Sequence, residues 1–175
     1  MSSDIEHIIK LCRRHNSKAQ RELYDCFAAK MMGVCMRYAP DRATAQDLLQ
    51  DGFIRVFDKL HKLREPQAVE AWIYRIMVST CINYLNRQFR RHESLDTLTD
   101  TDNEPAFNAD PYVADELMAA IATLPAGQRL AFNLREVEGY EFAEIASQMG
   151  CSEVNVRALI SRAKSNLRQK LSQYA

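Results

Sequence analysis

Residues 71–91 interleave aromatic and basic side chains, a combination suited to binding nucleic acid. Aromatic rings can stack on unpaired bases, Arg can neutralise phosphates, and Ser and Asn can hydrogen-bond to base edges. The segment contains the aromatic residues Trp72, Tyr74, Tyr84 and Phe89, the basic residues Arg75, Arg87, Arg90 and Arg91, and the polar residues Ser79, Asn83 and Asn86. The alternative is an amphipathic helix whose aromatic side chains lie in the core and whose polar side faces solvent, and this alternative is favoured for Trp72 and Tyr84.

A helix-turn-helix pattern occupies residues 142–162. Gly150 can supply the positive φ that ends the first helix, and Ser152 can cap the second. Ala146 is small enough for the two helices to cross closely. The apolar positions Ile145, Met149, Val156 and Ile160 are predicted to face inward and fix the crossing angle.

The outer face of the second predicted helix carries small and basic residues, which suit entry into the major groove of DNA. These residues are Asn155, Arg157, Ala158, Ser161, Arg162 and Ser165. Side chains of these types can reach base edges and phosphates. A plain helical hairpin with a solvated basic face is the alternative interpretation.

A third candidate face lies on residues 47–60. The apolar residues Leu49, Phe53, Val56, Phe57 and Leu60 recur every three or four positions, as in a helix with one buried side. The opposite side carries Asp47, Gln50, Asp51, Ile54 and Asp58. An apolar residue among polar ones is as typical of a protein-docking face as of a solvated one. Gly52 indicates close packing or a tolerated local weakness.

Helical periodicity and capping residues predict an all-α fold without strands. Helices are expected to start at Ser17, at Asp41 or Thr44, and at Pro66, with Pro40 ending the first of them. After residue 109 the predicted starts are Asp110, Pro125, Phe142 and Ser152, and the predicted stops are Thr123, Gly139, Gly150 and Leu171.

The charge is unevenly distributed along the 175 residues, although 23 Lys+Arg balance 23 Asp+Glu. Residues 1–91 hold 16 bases and 10 acids, residues 92–116 hold eight acids and no Lys or Arg, and residues 117–175 hold seven bases and five acids. We therefore predict two small helical domains, 1–92 and 116–175, joined by a flexible acidic linker at 93–115. A long surface loop within one domain is the alternative. The net charge of zero arises because the acids of residues 92–116 cancel the basic excess of the two flanking segments. It therefore does not argue against DNA as a partner.

No pattern for catalysis, a cofactor or a metal site emerges from the sequence. Glycine-rich phosphate loops and nucleophile motifs are missing, and the five cysteines form no CxxC pair. Those cysteines are expected to be reduced thiols, most of them core residues, in a reducing cytoplasm. No run of about 18 apolar residues predicts a membrane span, and the N-terminus does not read as a secretion signal.

Together these segments resemble the extracytoplasmic-function (ECF) sigma factors of bacterial RNA polymerase, over roughly residues 18–171. Residues 47–57 resemble the region 2.2 helix, which docks on the clamp helices of the largest polymerase subunit. Residues 72–91 resemble regions 2.3 and 2.4, which melt the promoter and read the −10 element as a single strand. Residues 124–171 resemble region 4, whose helix-turn-helix reads the −35 element as duplex.

The resemblance implies three sets of site residues. Polymerase binding is assigned to Asp47, Leu48, Gln50, Asp51 and Ile54, with Phe53 in the core. Melting and −10 recognition are assigned to Trp72, Arg75, Ser79, Asn83, Arg87, Arg90 and Arg91. The −35 contacts are assigned to Asn155, Arg157, Ala158, Ser161 and Arg162. The sequence departs from the common family pattern at Ser79, Leu159 and Ser161, so base assignments do not transfer.

The implied function is promoter-specific transcription initiation by a protein that is not an enzyme and has no cofactor. The implied partners are core RNA polymerase, promoter DNA and an anti-sigma factor, in the cytoplasm and without membrane insertion. The alternative is a helix-turn-helix regulator that acts without being a polymerase subunit. That alternative explains residues 140–171 but leaves the segments beginning at Asp47 and Trp72 unexplained.

Overall fold

The computed structural model describes residues 2–95 and 116–172, with side chains described over 4–91 and 116–172, and these residues contain helices and no strand. The helices are α1 (Ser2–Cys12), α2 (Ser17–Tyr38), α3 (Arg42–Lys59), α4 (Val69–Leu95), α5 (Glu116–Ala122), α6 (Ala126–Phe132), α7 (Phe142–Met149) and α8 (Glu153–Leu171). Short 3₁₀ turns at Leu60–Lys62 and Pro66–Ala68 separate α3 from α4, and a π-turn at Asn133–Val137 extends α6. The all-α prediction is confirmed.

Most predicted helix boundaries are found, and four details differ. The helix predicted to start at Pro66 begins at Val69, because Pro66–Ala68 form a 3₁₀ turn. The capping residue of α2 is Asn16, whose side chain accepts from the backbone N–H of Ala19 at 3.0 Å, whereas the sequence pattern pointed to Ser17. Helix α1 was not predicted at all. Helix α4 continues to Leu95, beyond the predicted linker start at residue 93. The rest of that linker, and the predicted helix start at Asp110, lie outside the described residues.

Contacts divide the chain into two compact units, 1–35 with 42–81 and 36–41 with 82–175. In the first unit, α2, α3 and α4 contribute a core that is fully shielded from solvent. It contains Leu23, Met31, Cys35, Val56, Ile73, Met77 and Cys81. The aromatic rings of Tyr24 and Phe53 meet with their centroids 4.6 Å apart, which places Phe53 in this core as predicted.

Gly52 is a site of close helix packing in the first unit. A Cβ atom on Gly52 would run into the Sδ and Cε atoms of Met77, a side chain with no solvent exposure. The glycine therefore lets α3 approach the buried side of α4. Of the two readings of Gly52 left open by the sequence, close packing is the correct one.

The second unit is built around α8 and contains a buried arginine. Ala120, Ile121, Leu124, Ala163 and Leu167 form one of its apolar clusters. Arg129 is 4 % exposed and donates to the carbonyl oxygens of Tyr38 at 3.1 Å, Ala122 at 2.5 Å and Leu124 at 2.7 Å.

Two of the acceptors of Arg129 are helix ends, because Tyr38 is the last residue of α2 and Ala122 is the last of α5. Terminal carbonyls have no partner within their own helix, so a buried helix end needs an outside donor. Burial lowers the pKa of Arg129 to about 10, although Tyr84 and Asp41 oppose the shift. The guanidinium therefore remains charged at neutral pH.

Two glycine-to-alanine substitutions test the packing of α3 on α4. We expect Gly52→Ala to lower the free energy of unfolding by about 1–3 kcal/mol, because overpacking a filled core costs more than helix propensity returns. Gly33→Ala is the matched control, since Gly33 lies within α2 and a Cβ there would meet nothing within 4 Å. That substitution should instead stabilise the protein by about 0.5–1 kcal/mol. Urea unfolding measures both, and equal stabilisation by the two variants would contradict the packing argument.

Candidate nucleic-acid interface

Three local interactions fix the two ends of α7 and the start of α8. Glu141 and Glu144 form a capping box at the start of α7, in which the Glu144 side chain accepts from the Glu141 backbone N–H at 2.8 Å. Gly150 ends α7 with a φ of 71°, and its N–H donates to the Ala146 carbonyl at 2.9 Å. Ser152 caps α8 by accepting from the Asn155 N–H at 3.2 Å. These interactions produce the predicted helix-turn-helix.

The predicted inner side of this motif is buried. Ile145, Met149, Val156 and Ile160 are at most 5 % exposed. Ala146 is also buried, in agreement with its predicted place at the helix crossing. Burial of these residues fixes the rotation of α8 about its own axis, so the opposite face points away from the core.

The predicted outer residues lie on that opposite face of α8. Arg157, Ser161 and Arg162 are exposed, while Asn155 and Ala158 are half-buried. Leu159 is buried at 9 % exposure, on the core side of the helix. The face thus presents two guanidinium groups around small side chains, which matches the shape and charge of a helix that enters the major groove.

Phe142 is an aromatic residue of this site that the sequence reasoning used only as a helix start. Its ring lies under two guanidinium groups, with the Cζ atom of Arg157 at 3.9 Å and that of Arg135 at 4.6 Å from the ring centroid. Both distances are within the range of cation–π attraction. The sequence signal was an aromatic residue at the first position of α7, but its partners are 7 and 15 residues away and could not be identified from spacing.

Each of the two arginines is also held by an acid or a carbonyl. Arg135 donates to the carbonyl oxygen of Tyr140 at 2.9 Å and to the Glu141 carboxylate at 3.1 Å. Arg157 lies 3.6 Å from the Glu153 carboxylate, one helical turn earlier. The stack on Phe142 and the Glu153 carboxylate together limit the positions that the Arg157 side chain can sample.

The predicted −10 residues lie along one side of α4. Arg75, Ser79, Asn83 and Arg87 recur at intervals of four residues, and all four are exposed. Arg90 and Arg91 continue the exposed basic series, while Trp72 is half-buried at its start. The helix therefore presents cations with polar side chains between them.

The aromatic residues of α4 are less available for stacking than their sequence pattern indicated. Tyr74 and Tyr84 are half-buried, and Phe89 is only 8 % exposed. A Cβ atom on Gly127 would lie 2.6 Å from the Phe89 ring, which shows that this ring packs on the backbone of α6. The prediction of Phe89 as a stacking surface is wrong because the ring is a core contact of the second unit.

The predicted docking residues of α3 are exposed with one exception. Asp47, Gln50 and Asp51 are exposed, and Ile54 is 59 % exposed despite being apolar. Leu48 is only 3 % exposed, so its side chain belongs to the core and is not available to a partner. The sequence assignment placed Leu48 with its exposed neighbours, whereas the rotation of α3 turns it inward.

The described residues contain no group of three or more His, Cys, Asp or Glu placed to hold a metal ion. Within the same residues, no helix has the length and apolar character needed to span a bilayer. Cys12, Cys35 and Cys81 are buried, and burial raises the pKa of the Cys12 thiol to about 11, with a smaller contribution from Glu22.

Two family models match the chain in order. The model of sigma-70 region 2 matches residues 23–91, and the model of sigma-70 region 4 matches residues 114–167. The first includes the exposed faces of α3 and α4, and the second includes α7 and most of α8. The residues between the two matches contain most of the acidic segment.

Curated relatives match over nearly the whole length. The chain is 28 % identical over 177 residues to the ECF RNA polymerase sigma-E factor of Escherichia coli (strain K12), covering 94 % of this chain and 92 % of the relative. It is also 28 % identical over 180 residues to the ECF RNA polymerase sigma-E factor of Haemophilus influenzae, covering 94 % and 93 %.

Among solved structures, the chain is similar to the sigma factor RpoE in complex with the anti-sigma factor NepR from Bartonella quintana. The two share 19 % identity with a TM-score of 0.49, covering 87 % of this chain and 96 % of the other. That spatial likeness is too weak to add to the sequence comparison. The two sigma-70 regions matched in order, and the likeness to sigma-E factors along almost all of its length, show that the chain belongs to the ECF sigma factors of the sigma-70 family.

Proposed function

We propose that this sigma factor binds core RNA polymerase through the exposed face of α3 and directs it to promoters through α4 and α8. In this assignment α4 reads the −10 element as a single strand, and α8 reads the −35 element as duplex. The observation that carries the proposal is the ordered pair of sigma-70 regions, each of which includes a helix with an exposed basic face.

The docking step rests on the outer face of α3. Asp47, Gln50 and Asp51 are exposed within the two helical turns that precede the exposed side chain of Ile54. Burying an apolar side chain in a complex is favourable, and acids around it add electrostatic selectivity for a basic partner. We assign this face to the polymerase and exclude Leu48 from it because of its burial.

The −10 step rests on the cations and polar groups of α4. Arg75, Arg87, Arg90 and Arg91 are exposed and can neutralise the phosphates of an unpaired strand. Ser79 and Asn83 lie between these arginines and can hydrogen-bond to base edges. Trp72 is the aromatic candidate for stacking on a base, because part of its side chain is exposed whereas Phe89 is buried.

The −35 step rests on the outer face of α8. Arg157 and Arg162 can contact guanine edges or phosphates, and Asn155 and Ser161 can hydrogen-bond at their sides. Ala158 is small enough to let the helix approach the floor of the groove. Glu153 is the one acid on α8, and its pairing with Arg157 reduces its repulsion of phosphate.

A tether between two weak DNA-reading modules raises their joint affinity, because binding by one increases the effective concentration of the other. We therefore retain the division into domains 1–92 and 116–175 with an acidic linker at 93–115. The unmatched residues between the two family models support this division along the sequence, whereas contacts group residues 36–41 and 82–91 with the second compact unit. We further propose that the linker acids are repelled by DNA and reduce its binding to the free protein.

Several general properties follow from the proposed role. The protein contributes binding and positioning to initiation, not bond-making chemistry of its own, and so it is not an enzyme and uses no cofactor. It works in the cytoplasm, where polymerase and chromosome meet. An anti-sigma protein is the expected inhibitor of the free chain, as in the family at large.

Reconstitution with core polymerase tests the function directly. We expect the purified chain to co-elute with core enzyme and to support transcription from a small set of fragments in a genomic pool of its source. Core enzyme alone is the control. If the chain binds duplex DNA specifically but does not associate with core polymerase, the regulator alternative is correct instead.

The docking face of α3 is tested by the double variant Asp47→Ala, Ile54→Ala. We expect affinity for core polymerase to fall about tenfold, because the few residues that dominate an interface each contribute more than about 1 kcal/mol. The melting temperature should stay unchanged, since both side chains are exposed. Asp25→Ala is the control, because that carboxylate is also exposed on a helix, where it pairs with Arg21 one turn earlier. An equal loss of polymerase affinity in the double variant and in Asp25→Ala would contradict the assignment.

The stack on Phe142 is tested by a double-mutant cycle with Arg157. We expect Phe142→Leu to weaken binding to the preferred −35 duplex by about two- to fivefold, because an exposed cation–π contact contributes about 0.5–1 kcal/mol. Phe142→Trp should retain wild-type affinity. In an Arg157→Ala background the Phe142→Leu change should have little further effect. Fully additive losses would show that the ring does not act through Arg157.

A further inference from the structure

Val154 is the most exposed large apolar side chain of the described residues. It is 77 % exposed, against 59 % for Ile54 and 43 % for Val137. It lies in the first turn of α8, two residues after the capping Ser152. A β-branched residue at an exposed helical position gains nothing from packing and has a lower helix propensity than alanine. Folding therefore gives no reason for a valine at this position.

The position of Val154 places it at the centre of the outer face of α8. Val154, Ala158, Ser161 and Ser165 follow one another at intervals of four, three and four residues, so they form one stripe along the helix. Val156, Ile160, Ala163 and Leu167 are buried on the other side. Arg157 and Arg162 flank the stripe on its two edges.

The stripe has an apolar side chain at its N-terminal end and small side chains along the rest of its length. In the major groove the thymine C5-methyl is the one apolar group that a base presents, and small apolar side chains recognise it by contact. In a helix-turn-helix, the first turns of the second helix are the part that reaches base edges. Val154 is in that part of α8, and the small residues that follow it leave room for close approach.

A protein partner is a poorer match for Val154. Docking surfaces on soluble proteins are contiguous apolar patches, whereas the neighbours of Val154 on the outer face are polar, small or cationic. Cations on both edges favour a polyanion on this face.

We propose that Val154 is a base-reading residue that contacts the methyl group of a thymine in the −35 duplex. This inference rests on the proposed function of α8 and adds the base type that one of its residues recognises. It also assigns a specificity role to a position that the polar and basic pattern of the helix did not indicate.

The experiment uses the full chain in complex with core polymerase. The preferred −35 duplex is first selected from a pool randomised in that segment. Each thymine of the selected duplex is then replaced singly by deoxyuridine, which removes the methyl group and leaves base pairing unchanged. Affinity is measured for the wild type and for Val154→Ala, Val154→Thr and Val137→Ala.

We expect one thymine at which deoxyuridine weakens wild-type binding by about two- to fourfold, the amount expected from one buried methyl group. Val154→Ala should lose affinity for the thymine duplex and become insensitive to deoxyuridine at that position. Val154→Thr keeps a methyl group and should stay sensitive, as should the control Val137→Ala, which alters an exposed valine outside α8.

Two results would overturn the inference while leaving the proposed function intact. One is an equal deoxyuridine effect in the wild type and Val154→Ala at every position. The other is an equal loss by Val154→Ala on selected and unrelated duplexes, which would indicate a structural role. A pool that yields no enriched duplex would overturn the proposed function of α8 and the inference together.

Discussion

The burial of one side of α8 is the constraint on which the −35 face depends. Val156, Ile160, Ala163 and Leu167 are all at most 5 % exposed and recur at helical spacing. Because a helix is a rigid rod, fixing this side against the core also fixes the direction of every residue opposite to it. This fixes the direction in which each outer side chain leaves the helix, and the Phe142 ring and Glu153 further restrict the Arg157 guanidinium. Burial of one side of α3 turns its acids outward in the same way.

The buried Arg129 shows a different kind of constraint. Moving a guanidinium out of water is costly, and burial lowers its pKa to about 10. The cost is offset by hydrogen bonds to three carbonyl groups, two of which end helices. Asn133 has a similar role, since it is fully buried and donates to the Arg37 carbonyl at 2.9 Å. These two residues stabilise helix ends that water cannot reach.

Charges that cancel in the total lie on different parts of the chain. Acids and bases are equal in number, yet the exposed side of α4 carries a series of arginines and the end of α8 carries further bases. The eight acids of residues 92–116 cancel these charges in the total. The net charge of zero therefore describes the composition of the whole chain, whereas affinity for DNA depends on the local surface that approaches it.

The sequence alone determined the features that depend on residues within a few positions of each other. Gly150 with its positive φ and Ser152 as a cap act locally, so the helix boundaries next to them could be predicted. Pro66 also acts locally, but it begins a 3₁₀ turn, and α4 starts only at Val69. The same holds for the buried stripe of the helix-turn-helix. Helix α1 and the Asn16 cap also depend on local signals, but the prediction did not use them. The ordered motifs were sufficient to identify the family.

Tertiary structure decided which candidate side chains are available to a partner. Leu48 and Phe89 lie within suitable motifs, yet both are in the core because neighbouring elements cover them. Phe142 and Arg157 are 15 residues apart in sequence, and only the turn between α7 and α8 brings them together. Val154 is 77 % exposed because, within the described parts of the chain, no side chain covers it. Burial and long-range contact depend on neighbours that lie far away in the sequence, and a pattern along one helix cannot specify them.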